Sequence, residues 1–180
     1  MEKKAAVLLD RDGVLCPEKG YVTDINNLEI FPYAKRCVEL LHRKGYLAIC
    51  ITNQSAVARG MLEEEKLIGM NSYFIKETGV DAIYYCPHHP DGIGKYGRAC
   101  NCRKPKTGMV ETAIREFGFD RQASYMVGDR ATDILCGQKA GLKAILLESG
   151  YGTQQLEQPV IPDGIYKDLE EFSLMLSAIY

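Results

Sequence analysis

The sequence predicts a doubly wound α/β fold, in which helices cover both faces of one parallel, Rossmann-like sheet. Short apolar runs typical of strands alternate with segments of helical periodicity, and such alternation favours right-handed crossovers between parallel strands. The chain has 180 residues, of which 46% are hydrophobic, which is enough for a single core. We therefore expect residues 1-180 to form one domain without a separate cap domain.

Five strands are predicted from apolar runs that are too short for helices. The first, Ala5 to Leu9, consists only of small and aliphatic residues and ends at an acidic residue. The other four are Tyr46 to Ile51, Ala82 to Tyr85, Ala123 to Val127 and Lys143 to Leu147.

Helices are predicted where apolar residues recur at spacings of three and four. Pro32 is a favourable residue near a helix start, apolar positions follow from Ala34 to Leu41, and Gly45 offers a stop. The same reasoning predicts helices around Leu67 to Phe74, Met109 to Phe117, Ile134 to Leu135 and Leu169 to Ile179. All but the last would connect two consecutive strands.

The charge balance and the first apolar run argue against two classes of partner. The 22 basic and 24 acidic residues leave a net charge of -2, so no strong field attracts nucleic acid or an anionic membrane. The run that begins at Ala5 ends at Asp10, far short of the ~20 residues of a spanning helix, and no signal-peptide cleavage site follows. We expect a cytoplasmic protein, a monomer, with no nucleic-acid or membrane partner.

Polar residues follow three of the predicted strands, at the sheet edge where α/β proteins bind ligands. They are Asp10 and Asp12 after the first strand, Thr52 after the second, and Asp129 after the fourth. Lys104 precedes a predicted helix and adds a positive charge. Each residue alone is more typical of a turn or a helix cap. Together they provide the groups that phosphoryl transfer requires.

This set resembles the four motifs of the haloacid-dehalogenase superfamily of phosphatases, over nearly the whole chain. The matching residues are Asp10-Arg11-Asp12-Gly13, Thr52, Lys104, and Gly128-Asp129 with Asp133. The resemblance implies that Asp10 is the nucleophile and forms an aspartyl phosphate, and that Asp12 is the general acid and base. Thr52 and Lys104 would hold phosphate oxygens, with Asp133 as structural support. Many members have Thr where this chain has Val14, so one hydroxyl contact is missing.

A magnesium ion is expected beside these carboxylates. Two carboxylates that face a phosphate dianion would repel it unless a cation lies between them, and Mg²⁺ prefers oxygen ligands. Asp10 and Asp129 are the natural side-chain ligands. The resemblance adds the backbone carbonyl of Asp12.

A second metal is expected in residues 86-102, which contain Cys86, His88, Cys100 and Cys102. Zn²⁺ takes such a Cys₃His set in closed structural sites, although ligands one residue apart within each pair are closer than usual. A reducing compartment favours metal binding over disulfides. We expect a zinc-binding loop that holds Lys104 in place, the alternative being a surface loop with incidental cysteines.

The zinc loop narrows the resemblance to the D-glycero-D-manno-heptose 1,7-bisphosphate 7-phosphatases and the histidinol-phosphate phosphatases. Stretches such as Tyr84 to Pro90 and Tyr125 to Asp129 look more like the first group. The resemblance implies a sugar-phosphate pocket that is lined or closed by Glu18, Lys19, Gly20, Tyr21, Asn53, Gln54, Ser55, Arg103 and Arg130. Either arginine could instead be a solvated side chain or a salt-bridge partner.

Four functions stay open from the sequence. Removal of the 7-phosphate of a heptose bisphosphate, in nucleotide-activated heptose synthesis, is the leading hypothesis, and histidinol-phosphate hydrolysis is the second. A DNA 3′-end phosphatase would use similar Asp and Thr-Asn motifs, but the net charge of -2 argues against it. An inactive, zinc-stabilised binding module is disfavoured because every expected catalytic side chain is present.

Overall fold

A computed structural model describes residues 4–155 and 160–179. Its strands are β1 (Ala5–Leu9), β2 (Tyr46–Asn53), β3 (Ala82–Cys86), β4 (Tyr125–Gly128), β5 (Lys143–Leu147) and β6 (Gly164–Tyr166). They form one parallel sheet in the order β3-β2-β1-β4-β5-β6. The strand order reverses between β1 and β4, and ligands bind beyond the carboxyl ends of strands at such a point.

Five α-helices lie on the two faces of the sheet within the described residues. They are α1 (Ala34–Arg43), α2 (Glu64–Thr78), α3 (Gly108–Phe117), α4 (Ala131–Lys139) and α5 (Leu169–Met175). Gly79 and Gly118 end α2 and α3 in the left-handed conformation, as the sequence indicates. No helix in the described ranges has both the length and the apolar composition needed to cross a membrane.

Two hydrophobic cores lie on opposite faces of the sheet. Ala5, Val7 and Leu9 of β1 pack in the core that contains residues of α1, α2 and α5. Ala6 and Leu8 point the other way, into the core that contains residues of α3 and α4. Side chains alternate between the two faces of a strand, so a strand in a sheet that is covered on both faces must be apolar throughout, as β1 is. The predicted doubly wound α/β fold is confirmed.

Several element boundaries differ from the prediction. The sixth strand, β6, was missed because it has only three residues, one of them Gly164, at the sheet edge. β4 begins at Tyr125, and α5 ends at Met175 rather than at Ile179, whose N–H donates instead to the carbonyl of Lys44. β2 extends two residues beyond its predicted end.

Candidate active site

Asp10 and Lys104 form a buried ion pair at the carboxyl end of β1. The N–H of Asp10 donates to Val127 O at 2.9 Å, which extends the pairing of β1 with β4 by one residue. Lys104 Nζ lies 2.8 Å from Asp10 Oδ1 and donates to the carbonyl of Ile51 at 2.8 Å. Asp10 Oδ1 also accepts from the N–H of Arg11 at 2.7 Å. Lys104 and the N–H of Arg11 therefore contact the same oxygen of Asp10.

Two further carboxylates lie beside this pair. Asp133 Oδ1 is 2.7 Å from Lys104 Nζ, while its Oδ2 accepts from the N–H of Arg130 and caps α4. Asp129 Oδ2 accepts from the N–H of Tyr151 at 2.9 Å. Asp129 Oδ1 is buried and has no hydrogen-bond partner within the described residues. Carboxylate oxygens of Asp10, Asp129 and Asp133 lie within 4.8 Å of one another.

This crowding changes the ionisation of the cluster. Burial raises the pKa of Asp10 well above its ordinary value; Lys104 opposes this effect, and Asp133 and Asp129 add to it. Burial and then the charge of Asp133 raise the pKa of Asp129 to about 6. Burial disfavours the charged form of Lys104, but Asp10 and Asp133 outweigh it and raise its pKa. One ammonium group therefore does not offset the cost of ionising the buried carboxylates of Asp10 and Asp129, and a nearby cation would favour their ionised form.

The chemistry of these residues fits Mg²⁺. Asp10 and Asp129 offer hard oxygen ligands close together, and the unpartnered oxygen of Asp129 is buried, as expected of a group that lacks only a cation. Gly13 makes room for this arrangement, because a Cβ at that position would lie 2.4 Å from Asp129 Oδ2.

Asp12 and Thr52 are joined through Gln54. The side-chain Nε2 of Gln54 donates to Asp12 Oδ2 at 3.0 Å and to Thr52 Oγ1 at 2.9 Å. Asp12 is also paired with the guanidinium group of Arg11. Thr52 Oγ1 acts as an acceptor in this contact, so its own proton is free to point into the cleft.

Asn53 holds the backbone of Lys104. Its Oδ1 accepts from the N–H of Lys104 at 3.0 Å, and its Nδ2 donates to the carbonyl of the same residue at 3.2 Å. Both ends of the Asn53 amide therefore fix the segment that carries the buried ammonium group.

All of these groups lie in or beside a cleft of about 840 Å³ at the carboxyl edge of the sheet. The predicted site residues that line it are Asp10, Asp12, Glu18, Gly20, Tyr21, Thr52, Asn53, Gln54, Ser55, Arg103, Lys104 and Arg130. Apart from the expected zinc ligands, two predicted residues are not among the lining residues: Asp129 is fully buried beside Asp10, and Lys19 Nζ pairs with Glu29 at 2.6 Å on the surface. The structure therefore brings together the predicted set except for Lys19.

The cleft also contains residues that the sequence analysis did not assign. Arg59 lies over the ring of Tyr21, and Arg130 pairs with Glu18 at 2.7 Å and lies over the ring of Tyr151. His89 is a further lining residue, and its pKa is lowered by burial and then by the nearby charges of Arg103 and Arg59. The more exposed part of the lining, the mouth of the cleft, thus contains three arginines, Arg59, Arg103 and Arg130, of which the last is paired with Glu18. No periodicity or spacing in the sequence around Arg59 indicates that it faces the cleft.

Cys86, His88, Cys100 and Cys102 converge as a second candidate metal site. Their ligand atoms lie within 4.8 Å of one another. The Sγ of Cys102 lies 3.1 Å from that of Cys86, 3.2 Å from that of Cys100 and 3.4 Å from Nδ1 of His88. Zn–S bonds of about 2.3 Å would separate tetrahedral sulfur ligands by about 3.8 Å, so the sulfur atoms would move slightly apart to bind the ion. The set can hold zinc, and all seven cysteines are free thiols.

The Cys/His cluster contacts the active-site segment directly. Cys100 Sγ accepts from the N–H of Arg103 at 3.3 Å, and Arg103 Nη1 donates to the carbonyl of His88. Burial opposes ionisation of Cys100, but hydrogen bonds from Cys102 and from the N–H of Arg103 outweigh it and lower the pKa of Cys100. The cluster therefore fixes the residue that precedes Lys104.

Comparisons with known proteins agree with this geometry. A family model described as HAD-hydrolase-like matches residues 101–172. D-glycero-beta-D-manno-heptose-1,7-bisphosphate 7-phosphatase of Haemophilus ducreyi is 41% identical over 154 residues, which are 82% of this chain and 85% of the relative. D-glycero-alpha-D-manno-heptose-1,7-bisphosphate 7-phosphatase of Photorhabdus laumondii is 35% identical over 175 residues, 91% of this chain and 94% of the relative.

The fold also matches solved structures. The D,D-heptose 1,7-bisphosphate phosphatase of B. bronchiseptica, solved with magnesium and phosphate, superimposes with a TM-score of 0.82 at 28% identity. The match covers 94% of this chain and 96% of that one.

Proposed function

Because the chain belongs to the D-glycero-D-manno-heptose-1,7-bisphosphate 7-phosphatase family of HAD-like hydrolases, we propose that it removes the 7-phosphate of this sugar bisphosphate through an aspartyl phosphate. One observation carries the proposal. Asp10 and Lys104 are paired and buried at the base of a cleft, with Asp129 beside Asp10, and Arg59, Arg103 and Arg130 line the mouth of this cleft. A nucleophilic carboxylate at the base and cations at the mouth suit a substrate with a phosphate at each end.

Asp10 is the proposed nucleophile. Its Oδ1 takes the contacts with Lys104 and with the N–H of Arg11, so Oδ2 is the oxygen available to attack phosphorus. As the new bond to phosphorus forms, the bond to the sugar oxygen breaks, and Asp12 gives that oxygen a proton. A water molecule then gives a proton to Asp12 while its oxygen displaces Asp10 from phosphorus. Inorganic phosphate and the heptose 1-phosphate are the products.

Thr52 and Lys104 are proposed to hold the transferring phosphoryl group. Lys104 is buried and charged, and the hydroxyl proton of Thr52 is free because its oxygen accepts from Gln54. Donors fixed in this way before the substrate arrives typically stabilise a transition state by ~3 kcal/mol each. Asn53 contributes by holding the backbone of Lys104.

We propose Mg²⁺ as the catalytic cofactor, held by the side chains of Asp10 and Asp129 and by the carbonyl of Asp12. When bound, it would neutralise the carboxylates that face the phosphate dianion and polarise a phosphoryl oxygen. The buried, unpartnered oxygen of Asp129 supports this ligand set. Asp133, by contrast, is engaged with Lys104 and the start of α4, which supports a structural role.

The recognition of the sugar is proposed to involve the cleft walls. Arg103 and Arg130, with Arg59, would meet the second phosphate, since guanidinium groups bind phosphate in bidentate fashion. Glu18, Gly20 and Tyr21 line the same cleft as Ser55 and would close over the sugar. Lys19 points away from the cleft in its pair with Glu29, which argues against a direct contact.

We propose that Cys86, His88, Cys100 and Cys102 bind a structural Zn²⁺. Four protein ligands leave no open position for water, so the ion would fix the fold of the loop rather than take part in the reaction. A cluster of three free thiols persists in a reducing compartment, which supports a cytoplasmic protein.

The test is phosphate release with Mg²⁺ from both anomers of the bisphosphate, with histidinol phosphate as the competing substrate. We expect a higher kcat/KM for at least one anomer of the heptose substrate, with the 1-phosphate retained in the product as seen by phosphorus NMR. Asp10→Asn is the control and should abolish turnover. A higher kcat/KM for histidinol phosphate, or release of the 1-phosphate, would contradict the proposal.

A further inference from the structure

The carboxylate of Asp12 is held by four side-chain donors. Arg11 Nε donates to Oδ2 and Arg11 Nη2 to Oδ1, each at 3.1 Å, so the guanidinium group binds both oxygens. Gln54 Nε2 donates to Oδ2 at 3.0 Å, and the thiol of Cys16 lies 3.4 Å both from Oδ1 and from the carbonyl oxygen of Arg11, between which its one proton is shared. These contacts leave Asp12 a single side-chain orientation, even though it lines an open cleft.

Arg11 has no evident role in stability. It is among the largest fully buried side chains, and its Nη1 is buried without a hydrogen-bond partner in the described part of the chain. Burial of a guanidinium group with an unsatisfied donor costs free energy, and an ion pair rarely recovers all of it. Its one ion pair within the described residues is with Asp12. The contact with Asp12 therefore accounts for a cationic side chain at this buried position.

Gln54 connects Asp12 to the phosphoryl pocket. The same Nε2 donates to Asp12 Oδ2 and to Thr52 Oγ1, and the N–H of Gln54 donates to the carbonyl of Cys86 at the end of β3. The side-chain amide of Gln54 is buried, and its Nε2 already donates to two protein oxygens. A group that binds substrate would instead have a free donor in the cleft. It fixes the distance between the proton-transfer group and a phosphate-binding hydroxyl.

We propose that Arg11 and Gln54 are positioning residues that hold Asp12 as the base for the second half-reaction. This inference rests on the proposed phosphatase function. Both side chains donate to the Asp12 carboxylate, and these contacts fix the oxygens that receive the proton from water. In that step, water gives a proton to Asp12, the water oxygen bonds to phosphorus, and the bond between phosphorus and Asp10 breaks.

Rapid-mixing kinetics with 4-nitrophenyl phosphate and Mg²⁺ test this role. The nitrophenolate leaves without a proton, so formation of the aspartyl phosphate does not need Asp12 as an acid. In Gln54→Leu we expect formation to stay within about threefold of wild type and decay of the acid-trapped phosphoenzyme to slow about tenfold, the effect of one hydrogen bond to a charged group. A burst of nitrophenolate should precede a slow steady state.

Two further variants guard against a purely structural explanation. Arg11→Lys keeps the positive charge but loses the bidentate contact, and should show the same separation of the two rates. Gln138→Leu is the matched control: this exposed glutamine on α4 donates only to the carbonyl of Ile161 and should leave both rates unchanged.

The possible outcomes separate this inference from the function on which it rests. A wild-type enzyme that forms no phosphoenzyme on Asp10 would contradict the proposed function and the inference with it. The inference alone would be overturned if the wild-type enzyme forms the phosphoenzyme and the variants Gln54→Leu and Arg11→Lys slow its formation and its decay equally. It would also be overturned if the variants leave the decay rate unchanged. If Gln54→Leu does not fold, the decay rate of Arg11→Lys decides.

Discussion

Lys104 Nζ lies 2.8 Å from Asp10 Oδ1, and both side chains are almost completely buried. The contact joins the end of β1 to the segment between the Cys/His cluster and α3. Because Lys104 is also 2.7 Å from Asp133 Oδ1, its charge offsets two carboxylates at once. The ammonium group of Lys104, which is proposed to bind phosphate, therefore also stabilises the buried carboxylate of Asp10.

Replacement of Lys104 by Met should lower both stability and activity. The loss of the ammonium group leaves Asp10 and Asp133 buried without a cation, which typically costs about 3 to 5 kcal/mol. We expect urea denaturation of the metal-free protein to show a loss of this size and turnover to fall at least about 100-fold. Lys139→Met, on the exposed end of α4, is the control and should change neither by much. A fully active Lys104→Met enzyme would refute the proposed role.

The stability of the enzyme without Mg²⁺ should fall as the pH rises from about 4 to 6. The pKa of Asp129 is raised from 3.8 to about 6 in the folded state. Between these values the folded protein binds more protons than the unfolded one, so stability decreases with pH, by about 2 to 3 kcal/mol in total. Added Mg²⁺ should flatten this slope because a cation favours the ionised form.

Asp129→Asn isolates this contribution. Denaturation without Mg²⁺, but with the zinc site filled, should show that the stability difference between wild type and variant changes over pH 4 to 6, with the variant relatively more stable at pH 7. Mg²⁺ should no longer stabilise the variant. A difference that is constant across this range would show that Asp129 titrates normally.

Zinc removal should reduce both stability and activity. The cluster fixes Arg103 through Cys100 and His88, next to Lys104, so its loss releases the segment that carries the ammonium group. Cys100→Ser should contain less zinc, melt roughly 10 °C lower and turn over more slowly. Cys37→Ala, on the buried face of α1, is the control and should keep its zinc despite a small loss of stability. Zinc content by mass spectrometry together with calorimetry checks this, and an unchanged melting temperature after verified removal would count against it.

The sequence was sufficient for the main elements of the fold because buried strands and amphipathic helices have distinct periodicities. Ala5 to Leu9 could be assigned directly, since all five residues are buried between two helical layers. Gly164–Tyr166 could not, since a three-residue edge strand carries no periodicity of its own. The C-terminal end of α5 was also misjudged, because Ile179 continues the helical spacing after the backbone has left the helix.

The site residues at the strand ends could also be predicted from the sequence, whereas several of their hydrogen-bond partners could not. Parallel strands carry their last residues to one edge, which is why Asp10, Thr52 and Asp129 could be grouped from their positions in the chain. The roles of Asn53 and Gln54 could not be foreseen, since their amides bond to Lys104, Asp12 and Thr52 only after the fold forms. Arg59 and His89 come from loops, where no pattern indicates the direction of a side chain.

Gly13 should be indispensable for the carboxylate cluster. It has φ +89°, and a Cβ at this position would lie 2.4 Å from Asp129 Oδ2 and 2.5 Å from Cγ, so Gly13→Ala must displace the buried carboxylate. We expect a loss of about 1 to 3 kcal/mol, together with weaker stabilisation by Mg²⁺ and lower turnover. Gly118→Ala is a matched control, because it has φ +67° and open space around its Cβ. It should show the backbone cost alone, about 1 kcal/mol, with normal Mg²⁺ response and activity. Equal effects of the two variants in denaturation, Mg²⁺ titration and turnover would mean that the contact with Asp129 is unimportant.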